Sequence, residues 1–334
     1  MNRDFVWRDA GRTVAFRHNG VGQAPQLLLE HGFSPFELLS TPRALAGAAG
    51  LAAAATAVHE VRPGQVPDLA AGLLDRVSSQ SLVALGGGRP IDVAKAVAAA
   101  SGARVAAIPT TMSGAEMTGI HRLPAGAEPG VTGKVRPVLV IADPVAMTSQ
   151  PEPELRASSM NALAHGADSL YTPFANPVSE MTALRGAELI ATALDHDREE
   201  RSPSPLALGS LLCGYAIDSG AFGVHHVICQ TLVRICGGSH AQTNAAILPR
   251  TLALLAGRAP DRLSDLATAI GTDPEDIEAR TLQLGGDPPG LGAIGADRSK
   301  LDRALDSMIV RPELAFTPDP PGRDELKRLI ESAW

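Results

Sequence analysis

Asn161 and His165 stand four residues apart in the alanine-rich run "SSMNALAHGADSLY" (158–171). In a helix, that spacing puts both side chains on one face, one turn apart. Two more histidines lie in the same half of the chain. His226 is in "VHHVICQ", and His240 follows a glycine turn in "CGGSHAQTNAAILP". Histidine is the commonest metal ligand and a common acid catalyst. Three histidines and one amide could hold a divalent cation or line a polar substrate pocket. Asp168, one turn beyond His165, could orient that ring from behind or serve as a solvated surface charge. His18, His31, His59, His121 and His196 read mostly as structural or solvent-facing residues in or beside loops and element ends.

A second group sits earlier in the chain. In "VALGGGRPIDVAKA" an apolar run meets Gly86, Gly87 and Gly88, then a helix that the spacing predicts to open at Pro90. Glycines let a backbone approach a pyrophosphate, and a helix start offers free N–H groups and a positive dipole end. In "IPTTMSGAEMTG" (108–119), Thr110, Thr111 and Ser113 put hydroxyls just past another apolar run. They could hold phosphate or ribose, or satisfy their own turn.

The elements that must carry these residues change character along the chain. Up to residue 150, short apolar runs alternate with helix-favouring ones. Strands are predicted at 13–17, 36–40 and 55–61, short strand-like apolar runs that end in glycines or turn residues lie at 81–88, 104–111 and 137–144, and helices are predicted at 43–55, 66–77 and 90–101. Strand–helix alternation predicts a parallel sheet with helices on its faces. After Pro151, apolar-periodic segments take over at about 153–171, 176–196, 205–235, 240–257 and 260–270. The reading is therefore an α/β domain over 1–150 and an all-helical domain over 151–334, with the active site expected in the cleft between them.

Composition narrows the function. The chain has 334 residues, enough for two domains with buried cores, and a charge of −7 from 29 basic and 36 acidic residues. Aromatics make up only 3%, and no basic stripe interleaves with them, so nucleic acid is not expected as a partner. With no run of 18 apolar residues, no membrane span is expected. The start "MNRDFVWRDAG" does not read as a secretory signal, and the three cysteines form no CxxC pair. A cytoplasmic location with reduced thiols is the expectation.

Taken in order, "GGGRPIDVAKA", "IPTTMSGAEMT", "IADP", "SSMNALAHGADSLYTPFANP" and "HHVICQTL…GGSHAQTNAAILP" resemble the group III, iron-containing alcohol dehydrogenases of the dehydroquinate synthase-like superfamily. The resemblance covers nearly the whole chain and is strongest to the maleylacetate reductase branch. It implies an N-terminal dinucleotide-binding domain and an all-helical C-terminal domain. It implies NAD or NADP as cofactor, a small-molecule substrate, and a homodimer as an open question. Gly86, Gly87 and Gly88 would pass close to the pyrophosphate, and Thr110, Thr111 and Ser113 would line the cofactor. Asp92 falls in the same cofactor-binding set. Ser40, Thr41 and Pro42 match the turn near the adenosine ribose. The metal-binding aspartate and three histidines of the family fall on Asn161, His165, His226 and His240.

The chain departs from that pattern. Asn161 replaces the acidic ligand, as is usual in the reductase branch. Gln230 replaces a further histidine and removes a proton donor. Arg89 replaces a serine after the glycines. "GIHRL" (119–123) replaces an apolar, tryptophan-containing stretch, which weakens the case for maleylacetate itself as substrate. Three histidines can hold zinc without a carboxylate, whereas ferrous sites usually want two histidines and a carboxylate. A neutral Asn161 shifts the balance away from tightly held zinc or iron. His226 or His240 would then donate to the substrate oxygen.

The expectation is an NAD(P)H-dependent reductase of a small carbonyl or 2-enoate substrate. The alternatives are a lyase- or cyclase-like enzyme on the same scaffold, or a nucleotide-binding protein that has lost catalysis. NADPH tolerance is expected, because Thr41 stands where an acid would select NAD, with Arg43 two residues on.

Overall fold

A computed structural model describes residues 11–128, 131 and 133–334. The reading of the N-terminus (residues 1–10) lies outside the described residues. The chain divides into two compact units, Asp9–Gln150 and a second built on Pro151–Trp334.

In the first unit the order is β1 (Thr13–Phe16), α1 (Gly20–Glu30), β2 (Glu37–Ser40), α2 (Pro42–Leu45), α3 (Ala49–Ala54), β3 (Ala57–Glu60), α4 (Val66–Ala71), β4 (Ser81–Gly86), α5 (Gly88–Ser101), β5 (Arg104–Pro109), β6 (Leu139–Ala142) and α6 (Pro144–Met147). Among the described residues the six strands form one sheet in the order β1-β6-β5-β4-β2-β3. Every pairing is parallel. Alternate side chains feed opposite faces. Leu39, Leu82 and Ala84 pack with Ile91, Val93 and Val97 of α5. Leu38, Val83 and Leu85 pack with Leu28 of α1 and Leu51 of α3. Burial on both faces explains why the strands read as continuous apolar runs. After β2 the chain builds outward to β3, then returns to place β4 on the other side of β2. This is the switch point at which open α/β sheets bind ligands, beyond the carboxyl ends of the strands.

The second unit contains α7 (Glu152–Tyr171), α8 (Pro177–Leu194), α9 (Pro203–Gly220), α10 (Val224–Ile235), α11 (His240–Ala256), α12 (Pro260–Ala269), α13 (Ile277–Gly285), α14 (Leu301–Ile309) and α15 (Arg323–Glu331). Helix α7 is buried from Ala157 to Tyr171. It packs against α8, α9, α11 and α13.

Several sequence expectations need correction. The single helix over 43–55 is two, α2 and α3, parted at residues 46–48. The helix over 66–77 stops at Ala71 and continues only as turns. The helix that follows the glycines opens at Gly88, so Pro90 is its third residue, where its missing N–H is still among the orphan donors of the first turn. The segment 205–235 is two helices bent by 99°. The break falls at Ala221–Gly223, where Ala221 takes a positive φ of 58°. Helix α1 was not anticipated, because Pro25 lies inside it. Among the described residues, no single helix is long and apolar enough to cross a membrane.

Candidate active site

In the α/β unit, β4 runs straight into the glycine turn. Ser40, the last residue of β2, is in register with Leu85, so residues 40–42 and 86–88 end neighbouring strands at the switch point. Residues 110–113 follow β5, the next strand over, and the Thr110 N–H donates to the Gly86 carbonyl at 2.9 Å. The candidate residues thus gather at the carboxyl ends of three adjacent strands. Gly86 has φ 144°, a conformation side chains avoid. A Cβ on Gly87 would lie 2.9 Å from Thr111 Cγ2, so the turn and the 110–113 loop meet only because Gly87 is bare. Thr111 Oγ1 is buried with no hydrogen-bond partner. Bare backbone, the N-terminus of a 14-residue helix and an unsatisfied hydroxyl make a cradle that fits an anionic phosphate group.

Other residues of this set already have structural duties. Ser40 donates its hydroxyl to the Leu85 carbonyl at 2.8 Å. Thr41 caps α2 by accepting from the Ala44 N–H, and Pro42 opens that helix. Asp92 accepts from Lys95 Nζ at 2.9 Å. Lys95 is fully buried and also donates to the carbonyls of Ala115 and Ile120, which ties the 115–120 loop to α5. Ser113 Oγ accepts from the Ala115 N–H at 3.4 Å.

In the helical unit, Asn161 and His165 are both buried on α7, one turn apart. The His165 and His226 rings stack, with centroids 4.8 Å apart and planes 17° from parallel. His226 is buried on α10, whereas His240 is exposed as the first residue of α11. Asp168 is fully buried, so it is not a solvated surface charge, and its hydrogen-bonded ring is that of His226, not His165. Its Oδ2 accepts from His226 Nδ1 at 2.8 Å, and from the backbone N–H groups of Gly223 and His226. Tyr171 donates its hydroxyl to the other oxygen, Oδ1. Burial pushes the Asp168 pKa up. Yet every one of these partners is a donor, and such a set favours the ionised carboxylate.

This arrangement fixes the protons. His226 carries its proton on Nδ1 and presents a bare lone pair on Nε2, which is buried and unpartnered. Burial, with help from His240 and Arg311, pushes the His226 pKa down to about 3. His226 is therefore neutral near pH 7 and cannot donate from Nε2, which corrects the expectation that it could act as the acid. His165 is likewise held well below the usual histidine range, first by burial and then by its histidine neighbours. Its Nδ1 is buried and unpartnered too. His225 is a packing residue between Thr251 and Asn244. Asn244 Nδ2 faces His240 Nε2 at 3.4 Å, which favours the His240 proton on Nδ1.

As a cation site the cluster fits poorly. Asn161 brings no charge. Metal–nitrogen bonds of about 2.0–2.1 Å lie in the imidazole plane, and stacked rings keep their lone pairs in separate planes. Among the described residues, no three His, Cys, Asp or Glu side chains are grouped to hold a metal ion.

Sequence reasoning missed Tyr171 and Arg311. Tyr171 had a signal, three residues after Asp168 on one helix face. Arg311 had none: it lies 81 residues from Gln230, to which it donates at 3.0 Å.

Comparison with known proteins agrees with this architecture. Residues 42–144 match the family model described as iron-containing alcohol dehydrogenase, and residues 156–334 match the model for the C-terminal region of that family. Maleylacetate reductase 1 of Rhodococcus opacus is 32% identical over 280 residues, covering 81% of this chain and 78% of the relative. Maleylacetate reductase of Rhizobium sp. (strain MTP-10005) is 30% identical over 355 aligned residues, covering 99% and 97%. The crystal structure of maleylacetate reductase from Agrobacterium tumefaciens superposes with a TM-score of 0.87 at 26% identity, covering 99% of this chain and 98% of that one.

Proposed function

We infer, from the premise that this chain belongs to the iron-containing alcohol dehydrogenase family and is an oxidoreductase, that it uses NADH or NADPH to reduce the carbonyl of a small substrate or its 2-enoate relative. The single observation that carries the cofactor assignment is the Gly86–Gly88 turn opening α5 at the switch point beside Ser40. When bound, the reduced nicotinamide supplies hydride.

This chain's own residues do the rest. Backbone N–H groups at the start of α5 hold the pyrophosphate, and the Thr111 hydroxyl gives it one more donor. In the helical unit, Asp168 fixes the His226 tautomer, so Nε2 accepts a hydrogen bond from substrate or product hydroxyl. His240 Nδ1–H donates a hydrogen bond to the oxygen that gains charge as the carbonyl is reduced, and solvent, which reaches this exposed residue, supplies the proton that completes the hydroxyl. The Asn161 amide adds a neutral polar group on the same α7 face as His165. The weak fit of this donor set to a divalent cation supports chemistry carried by hydrogen bonds.

Relatives that are reductases do not favour the lyase-like or non-catalytic alternatives. The test is loss of nicotinamide absorbance when purified protein meets NADH or NADPH and a panel of aldehydes, ketones and oxo acids. Consumption with at least one carbonyl compound is expected. Cofactor binding without any consumption would overturn the reductase reading.

A further inference from the structure

Helix α11 opens with His240, and Asn244 follows one turn later on the same face. Asn244 is fully buried, and its two partners leave the amide one orientation. One amide atom lies 2.8 Å from the His240 backbone carbonyl. That oxygen can only accept, so the atom is the NH2 nitrogen, Nδ2. The other amide atom is then Oδ1, which lies 2.8 Å from His225 Nε2 and accepts from it. His225 therefore carries a proton on Nε2, while its Nδ1 meets the Thr251 hydroxyl at 3.0 Å. Nδ2 gives one hydrogen to the carbonyl and turns the second towards His240 Nε2, at 3.4 Å. An imidazole hydrogen-bonded only to water can be protonated on either nitrogen, and the protein group that meets the ring decides which.

We propose that Asn244 is the positioning residue that makes His240 a donor: its amide N–H occupies Nε2 and so holds the ring proton on Nδ1. This rests on the proposed function, in which His240 Nδ1–H meets the substrate oxygen. Asn244 and Asp168 then do complementary work. Both histidines carry the proton on Nδ1, but each has a different end tied down. Asp168 takes up the His226 proton and leaves that ring to present a lone pair. Asn244 takes up the His240 lone pair and leaves that ring to present its proton. His225 acts one step further back, by giving the amide oxygen its donor on the side away from His240.

The experiment reads the tautomer directly, by nitrogen NMR of the full chain with isotope-labelled histidine. It is run with chelator at about pH 8, above the ordinary histidine range. Signals lost in His240→Gln assign that ring. Wild type is compared with Asn244→Leu and Asn244→Ser. Serine can still donate to the carbonyl four residues back but is too short to reach the ring, so it keeps the local bond and loses the ring contact. Wild-type His240 should be chiefly the Nδ1–H form. In both variants the ratio of that form to the Nε2–H form should fall about two- to tenfold, the worth of one neutral hydrogen bond. An Nε2–H majority in wild type, or an unchanged ratio in a folded variant, overturns the proposal. If neither variant folds, the wild-type tautomer decides alone. Turnover separates this result from the function it rests on. With the carbonyl compound that wild type reduces fastest, kcat should fall with the Nδ1–H fraction while KM for NADH or NADPH stays unchanged. A tautomer shift with full kcat supports Asn244 as the group that sets the ring proton, and it is then His240 as the substrate's donor that fails.

Discussion

Gly87 permits a test that separates packing from ligand binding. Its φ of −77° and ψ of −164° are open to any residue, so alanine there meets no backbone strain. What it meets is Thr111: the new Cβ would lie 2.9 Å from Cγ2, 3.2 Å from Oγ1 and 3.7 Å from Cβ. The first distance is too short to keep, so Gly87→Ala should push the 110–113 loop away. Overpacking of this kind costs about 1–3 kcal/mol. The displaced loop carries the unpartnered Thr111 hydroxyl. Losing its contact with a charged phosphate should weaken cofactor binding about tenfold or more. Thr111→Ser deletes Cγ2 and keeps the hydroxyl, at about 0.8 kcal/mol for one methyl-sized group. In the double variant the alanine methyl takes the space that Cγ2 left. Urea denaturation and fluorescence titration with NADH and NADPH should both show Gly87→Ala impaired and the double variant close to Thr111→Ser. If stability returns but affinity does not, the methyl blocks the ligand itself and the packing account of Gly87 is wrong. If Gly87→Ala stays folded and binds as tightly as wild type, the cofactor is not at this turn.

Glu116 is fully buried with neither carboxylate oxygen partnered, and burial raises its pKa from 4.5 to about 7. Between those values the folded state keeps a proton that the unfolded chain has released. The stabilising term is therefore complete below pH 4.5 and is lost as pH rises through 7. Relative to Glu116→Gln, wild type should lose about 3 kcal/mol across that window, read from urea midpoints; a flat difference refutes it. The opposing terms from His225 and His226, both depressed to about 3, are common to the two proteins and cancel. Asn161→Asp should raise zinc affinity by adding the missing charge, provided His165 turns out of its stack with His226. Elemental analysis of wild type purified without chelators should find well under one metal per chain, and stoichiometric zinc or iron lost together with activity would overturn that. NADPH should bind at least as tightly as NADH, since Thr41 carries no charge and the Arg43 side chain makes only a long 3.4 Å contact to the Ser149 carbonyl. Arg43→Ala should weaken NADPH alone, and equal losses for both cofactors would refute the pairing.

What could be read in the sequence depended on how far apart the interacting residues were. The glycine turn was legible because strand, glycines and helix are contiguous, and because both sheet faces are buried. Helix α1 was hidden by Pro25 and the α9–α10 break by unbroken apolar periodicity, although Gly220 and Gly223 flank it. Asp168 shows the limit most clearly. Periodicity reports neighbours along one helix, so it offered His165 as the partner, whereas the contact made is to His226, 58 residues away. Family resemblance identified His226 but not where its proton lies. That proton sits on Nδ1 because a carboxylate from another helix accepts it, and the same bond strips Nε2 of any proton to give. Gln230 repeats the point: as a lone amide it reads as a lost acid, but held by Arg311 it becomes an oriented donor. With Gln230 unable to give a proton and His226 bare at Nε2, the hydrogen-bond donor we propose for the substrate oxygen is His240, the exposed histidine at the head of α11.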